Sequence, residues 1–287
     1  ILWNLIGASH VALENYDLGI QYYNQAIRTN PNFADGFNNI GTALVEKRNY
    51  QSAIINYRTA IELNPNFSEA YFNLGNALYL VGEKETALKE YRHAFDLNPA
   101  HYNALFNIAN INRELNKNAW AVHFYQKCIL INKNFFEAEN NLGLIFLDEK
   151  NFEKAKKHFH KAIKINPDYF EAYNNLGMTF KSENDLTRAK ENYKASLSLN
   201  PNYVPALKNL ADLYQENGNL DLSLEYYNQA LELTHNDSEI LYSMGEVLLQ
   251  QGKLTEAKKA IELSLSITSV SANAHWNLAL CLLLDED

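Results

Sequence analysis

The chain has 287 residues and a formal net charge of −9 at neutral pH, which argues against a general nucleic-acid binder, because such a surface must be basic. Two cysteines, Cys128 and Cys281, cannot build a disulfide framework, so a reducing, cytoplasmic location is expected. The apolar run Leu278–Leu284 is far too short to span a membrane, and no secretory signal is visible.

A fixed period dominates the chain. Steps of 34 from Gly7 land on Gly41, Gly75, Ala109, Gly143, Gly177, Ala211, Gly245 and Ala279, without insertion or deletion. A second small column begins at Gly19 and continues through Ala53, Ala87, Ala121, Ala155, Ala189, Ser223 and Ala257. A third runs through Ala26, Ala60, Ala94, Cys128, Ala162, Ser196, Ala230 and Ser264. Between them sits a large column: Tyr23, Tyr57, Tyr91, Tyr125, Phe159, Tyr193, Tyr227 and Ile261. Small residues beside rings at fixed offsets are what close helix packing needs. The predicted fold is therefore all-α, a solenoid of stacked helix-turn-helix units.

In chain order, the units are 1–33, 34–67, 68–101, 102–135, 136–169, 170–203, 204–237 and 238–271, followed by a half unit at 272–287. In the second, Phe37, Ile40 and Leu44, then Ala53, Tyr57 and Ala60, give helical spacing on two successive segments. Pro31, Pro65, Pro99, Pro167 and Pro201 share one slot, where proline stops the second helix. Pro205 instead falls near the start of a first helix, where a missing N–H costs little. The fourth unit departs with Ala109, Cys128 and Lys133, the seventh with Ala211 and His235, and the eighth with Ser264 and Ser269. The units lacking proline are expected to have less sharply defined turns. In the fifth, Lys154, Lys156, Lys157, Lys161 and Lys164 read as a solvated outer face. His158 and His160, two apart on a helix, point to opposite sides and do not share a metal. The final half unit is unusually apolar from Ala274 to Leu284. A terminal repeat needs a polar outer face, so this helix expects a partner, and self-association through it is one reading. Both ends look cut from a longer polypeptide.

Trp3, Ile6, Gly7, Ala26 and Pro31, and likewise Tyr71, Leu74, Gly75, Leu78, Ala87, Tyr91, Ala94 and Pro99, form a pattern that resembles the tetratricopeptide repeat. The resemblance covers the whole chain and implies a right-handed superhelical α-α solenoid that scaffolds protein–protein interaction. It also implies that first helices line a concave groove. The slot before the Leu-Gly pair, which points into that groove, reads Asn39, Asn73, Asn107, Asn141, Asn175 and Asn209, then Ser243 and Asn277. A carboxamide carries an acceptor and two donors, which suits the backbone of an extended peptide. This row resembles the asparagine ladder in the superhelical arm of O-linked N-acetylglucosamine transferases. Asn76 and Asn110 extend the polar strip, and Phe72, Phe106 and Tyr79 put rings beside it, as Tyr242 and Trp276 do near the far end. Asp35, Glu69, Glu137, Glu171 and Glu239 recur at the start of the first helices, where acid suits the helix dipole; a preference for basic partners is the sharper alternative reading.

Repeats that capture the acidic tails of heat-shock chaperones need inward Lys and Arg; here Lys208 stands alone and Asp212 follows it, so that partner is disfavoured. No phosphate loop, nucleophile signature or zinc spacing appears, and Asp285 and Asp287 lie at the end of the chain. No cofactor, metal or catalytic residue is expected. The last helix also resembles the junction where such repeats run into a glycosyltransferase-like domain, which implies a second reading as the substrate-recognition arm of an enzyme.

Overall fold

The computed structural model describes residues 2–268 and 272–284; Ser269, Asp285 and Asp287 lie outside them. The described residues form seventeen helices and no strand. First helices are α1 (Leu2–Ala12), α3 (Ala34–Glu46), α5 (Ser68–Leu80), α7 (Tyr102–Glu114), α9 (Phe136–Asp148), α11 (Phe170–Ser182), α13 (Val204–Glu216), α15 (Ser238–Gln250) and α17 (Ala272–Leu284). Second helices are α2 (Tyr16–Thr29), α4 (Tyr50–Leu63), α6 (Lys84–Leu97), α8 (Asn118–Ile131), α10 (Phe152–Ile165), α12 (Leu186–Leu199), α14 (Leu220–Thr234) and α16 (Leu254–Ile267). The fold is an all-α helical-repeat superhelix.

The chain divides into two compact units, one ending at Ala138 and one starting at Glu139. Consecutive helices pack together from α1 through α8 in the first unit and from α10 through α17 in the second. In the first unit α1 also touches α3 and α3 touches α5; in the second, α11 touches α13, α13 touches α15, and α15 touches α17. Second helices do not approach one another to that extent. Each unit therefore curves with its first helices inside.

Both turns of the repeat have a physical cause. The turn from first to second helix passes through a left-handed residue in every repeat: Glu14, Arg48, Gly82, Asn116, Lys150, Asn184, Gly218 and Gly252. In the second repeat, Arg48 N–H donates to Val45 O and Asn49 N–H to Leu44 O, both at 2.8 Å. This pair of bonds satisfies carbonyls left open at the helix end. The turn out of the second helix is closed by asparagine: Oδ1 of Asn30, Asn64, Asn98, Asn132, Asn166 and Asn200 accepts the N–H two residues on. The expectation that a missing proline loosens this turn therefore fails at Lys133. There α8 ends at Ile131, in register with the other repeats, because Asn132 makes the same 3.1 Å bond as elsewhere. In the seventh repeat both the asparagine and the proline are absent, α14 runs one residue longer, and His235 takes φ 61°.

The core follows the columns. A methyl placed on Gly75 would come within 2.7 Å of the Tyr91 ring, and one on Gly177 within 2.6 Å of Tyr193. The rings occupy the space that larger residues would need, and Tyr91, Tyr125, Phe159, Tyr193 and Tyr227 are fully buried. Cys128 fills its small slot completely buried, and burial, with Glu137 nearby, pushes its thiol up to about 12.

Candidate functional site: the inner face of the first helices

The ladder asparagines sit two residues before the packing glycine or alanine of each first helix. Their Nδ2 groups reach back across the repeat junction. Asn39 donates to Asn4 Oδ1 at 2.9 Å, and Asn73 to Asn38 Oδ1 at 3.1 Å. Asn175 donates to Asn140 and Asn209 to Asn174, each at 2.9 Å. Where the earlier repeat holds a ring in place of that acceptor, the acceptor moves one turn along. Phe72 stands in the slot, and Asn107 donates to Asn76 Oδ1 at 2.9 Å instead. Tyr242 stands there in the eighth repeat, and Asn277 donates to Tyr242 Oη at 3.1 Å and Glu246 Oε1 at 3.3 Å. The ladder is thus also a line of hydrogen-bonded staples between repeats.

These bonds use one N–H of each carboxamide. Asn39, Asn73, Asn107 and Asn209 are half-buried, and no hydrogen bond is accepted by their Oδ1 atoms. Asn141 is half-buried at the same position of α9, and Asn175 is the most enclosed, at 8% exposure.

The flanking residues are tied down too. Asn76 accepts Tyr91 Oη–H at 2.8 Å, and Asn110 accepts Tyr125 Oη–H at 2.5 Å. Tyr57 Oη–H points to Thr42 at 3.3 Å, and burial pushes that phenol up to about 12. Phe72 packs on Tyr91 and His101, and Phe106 on Tyr125 and Phe135, so both rings are half-buried. Tyr79 donates to Glu114 at 2.5 Å; that bond, then burial, raises its pKa. Trp276 is 73% exposed.

Charge on this face is mostly negative. Lys208 is held by Asp212 at 3.3 Å and Glu239 at 3.1 Å, so it offers no free clamp for a carboxylate. Burial opposes its charge, yet the two carboxylates raise its pKa. Glu139 escaped the sequence reading. It stands in a slot that holds aromatic or aliphatic residues in most repeats, is 3% exposed, and bonds His158 Nδ1 at 2.6 Å and Lys161 Nζ at 3.1 Å. Lys161 is therefore engaged on its inner side, and Lys156, half-buried, bridges Glu153 and Glu183. Lys154, Lys157 and Lys164 are exposed as expected, and His160 is exposed too. Sequence spacing could have exposed the staples, since an asparagine lies 35 or 31 residues before most ladder positions. Among the described residues no group of His, Cys, Asp or Glu could hold a metal ion, and no helix is long and apolar enough to cross a membrane.

An array of two-helix units with a hydrogen-bonding inner face defines a helical-repeat scaffold of the kind that holds protein partners. Tetratricopeptide-repeat models match residues 2–33, 41–82, 68–101, 102–135, 136–169, 170–203 and 202–269. The chain belongs to the tetratricopeptide-repeat family. No curated protein matches it in sequence. Among solved structures it is similar to one in the Cut9–Hcn1 hetero-tetramer of the APC/C, with TM-score 0.72 and 16% identity over 98% of this chain. It spans 55% of that protein's length. A tetratricopeptide repeat protein from Parabacteroides merdae aligns with TM-score 0.69 and 19% identity, covering 87% of this chain and 98% of its own. YrrB, described as a TPR protein with an unusual peptide-binding site, aligns with TM-score 0.53 and 20% identity over 64% of this chain and 95% of its own.

Proposed function

We propose that the inner face holds an extended segment of a partner protein, with the ladder asparagines bonding its backbone. The observation that carries this is the half-spent carboxamide. At Asn39, Asn73, Asn107 and Asn209 one N–H is fixed by the neighbouring repeat, which locks the side chain in place. At Asn39, Asn73 and Asn209 the oxygen and the second N–H then remain to meet a peptide N–H and C=O; Asn107 also bonds the Tyr91 hydroxyl, so its oxygen is the group left for a partner. In the first unit Asn76 and Asn110 border this row, and Phe72, Phe106 and Tyr79 supply apolar contact beside it; in the second unit Asn141, Asn175 and Asn277 hold the same position on their first helices. The chain itself carries no catalytic role in this reading.

The staple geometry supplies a clean test. Asn73→Ala and Asn38→Ala remove the same hydrogen bond from opposite ends, and only the first removes a ladder carboxamide. Partner segments captured by the native chain should bind Asn73→Ala most weakly and Asn38→Ala less so, because Asn38→Ala frees the ladder carboxamide without removing it. Equal loss in both would mean that the ladder only joins repeats, and the backbone-binding reading would fall.

A second reading has its own observation. On α17, Leu282 and Leu283 are exposed and Leu280 is partly so, which suits self-association through this helix. Light scattering should then show dimers that disappear in Leu280→Gln/Leu283→Gln. A monomer at every concentration rules it out.

A further inference from the structure

The groove reading leaves the chemistry of the partner open, and the distribution of charge narrows it. The first helices carry twelve carboxylates against three basic side chains. The second helices carry twelve against sixteen. Counted by helix, the negative balance lies on the first helices, although not every one of these carboxylates faces inward: Glu139 is buried against His158 and Lys161 of α10. Solubility alone would not separate the signs by layer, since either layer has enough exposed positions to carry them.

In the second unit this negative layer has a shaped feature. Between α13 and α15 lies an open depression lined by Lys208, Asp212, Gln215, Glu216, Ser243 and Glu246, with Gln250 at its edge. Its lining is predominantly polar and includes three carboxylates against one ammonium. That ammonium, Lys208, is already spent on Asp212 and Glu239. The carboxylates are held in position by neutral donors: Tyr227 Oη–H donates to Asp212 Oδ1 at 2.5 Å, and Tyr242 Oη–H to Glu246 Oε1 at 2.6 Å. A phenol fixes a carboxylate without neutralising it. Glu216 is paired with Lys181 at 2.8 Å from the other side but remains half exposed. The depression adjoins the ladder, because Asn277 bonds the same Glu246 oxygen that Tyr242 does.

We infer that the inner face of the second unit selects an extended segment rich in Lys or Arg, with one cationic side chain seated between α13 and α15. This rests on the groove reading and adds the charge of the partner to it. Backbone bonds to asparagine carry no side-chain preference, so the acidic layer would supply the specificity. An acidic segment would meet like charge at the depression.

The test uses three labelled, unstructured peptides of equal length: Arg-Ser, Gly-Ser and Glu-Ser repeats, titrated by fluorescence anisotropy. The Arg-Ser peptide should bind at low salt, weaken as salt rises, and lose about tenfold in affinity in Glu216→Gln/Glu246→Gln. Glu225→Gln/Glu232→Gln removes the same charge from α14, on the outer layer, and should change binding little. Equal loss in both double variants would mean that net charge alone attracts the peptide, and the inference would be overturned. Equal binding of Gly-Ser and Arg-Ser peptides, with loss in Asn209→Ala, would overturn the charge preference and leave the groove reading standing. No binding of any peptide would count against both.

Discussion

Asn175 Nδ2 donates to Asn140 Oδ1 at 2.9 Å, joining α11 to α9 through two carboxamides that are each less than a tenth exposed. A bond enclosed this way is expensive to break from one side, because the partner is left without solvent or donor. Asn175→Ala should therefore destabilise the chain by about 1–3 kcal/mol. Asn39→Ala breaks the equivalent bond to Asn4, where both residues are half-buried and water can replace it, and should cost about 1 kcal/mol or less. Urea midpoints of the two variants check this. Equal losses would mean that enclosure does not set the strength of the staple.

Tyr193 differs from its column mates in one atom's surroundings. Tyr91 and Tyr227 give their hydroxyl protons to Asn76 and Asp212, one residue past the packing glycine or alanine. The matching residue in the sixth repeat is Met178, and the Tyr193 hydroxyl is buried without a partner. The fifth repeat pairs Phe159 with Leu144 and avoids the problem. Tyr193→Phe should then be neutral or stabilising, whereas Tyr91→Phe should cost about 0.5–1.5 kcal/mol. Thermal melts of both variants decide between this and a uniform role for the column.

The fold was open to sequence reading because each helix packs mainly on its neighbours in the chain, so a period of 34 repeats the same contacts. The glycine and tyrosine columns named their own packing before any coordinates. Less was legible at the inner face. Asn38, Asn140 and Asn174 look like ordinary surface positions until a donor 35 residues later is placed beside them. The shift of acceptor to Asn76 depends on Phe72 occupying the first choice, and such compensation belongs to pairs of columns. Glu139 was invisible for another reason. It breaks a column of aromatic and aliphatic residues, and its partners His158 and Lys161 lie on a different helix whose lysines read as solvated.

The left-handed column was also missed, since only Gly82, Gly218 and Gly252 mark it in the sequence. Arg48 holds φ 58° at the same position. A side chain there costs roughly 1 kcal/mol relative to glycine. Among the described residues Arg48 forms no ion pair that glycine would lose. Arg48→Gly should accordingly raise the thermal midpoint, while Arg48→Val, branched at Cβ, should lower it. If both lower it, the turn is held by something other than backbone conformation.

Glu139 gives the chain a dependence on acid. Burial works against its charge, but hydrogen bonds from His158 and Lys161, with their positive charge, outweigh it and hold the carboxyl below its ordinary value. A carboxyl depressed in the folded state contributes stability that is present above its unfolded pKa of about 4.3 and is lost as pH falls through the folded value. Glu139→Gln removes that contribution and should cost about 1–3 kcal/mol at neutral pH, because Lys161 and His158 keep only a neutral acceptor. The difference between native and variant melting midpoints should narrow as pH falls below the unfolded carboxyl value and through the lowered folded one. A difference that stays constant to pH 3 would show that the Glu139 charge contributes nothing and that packing alone explains the loss.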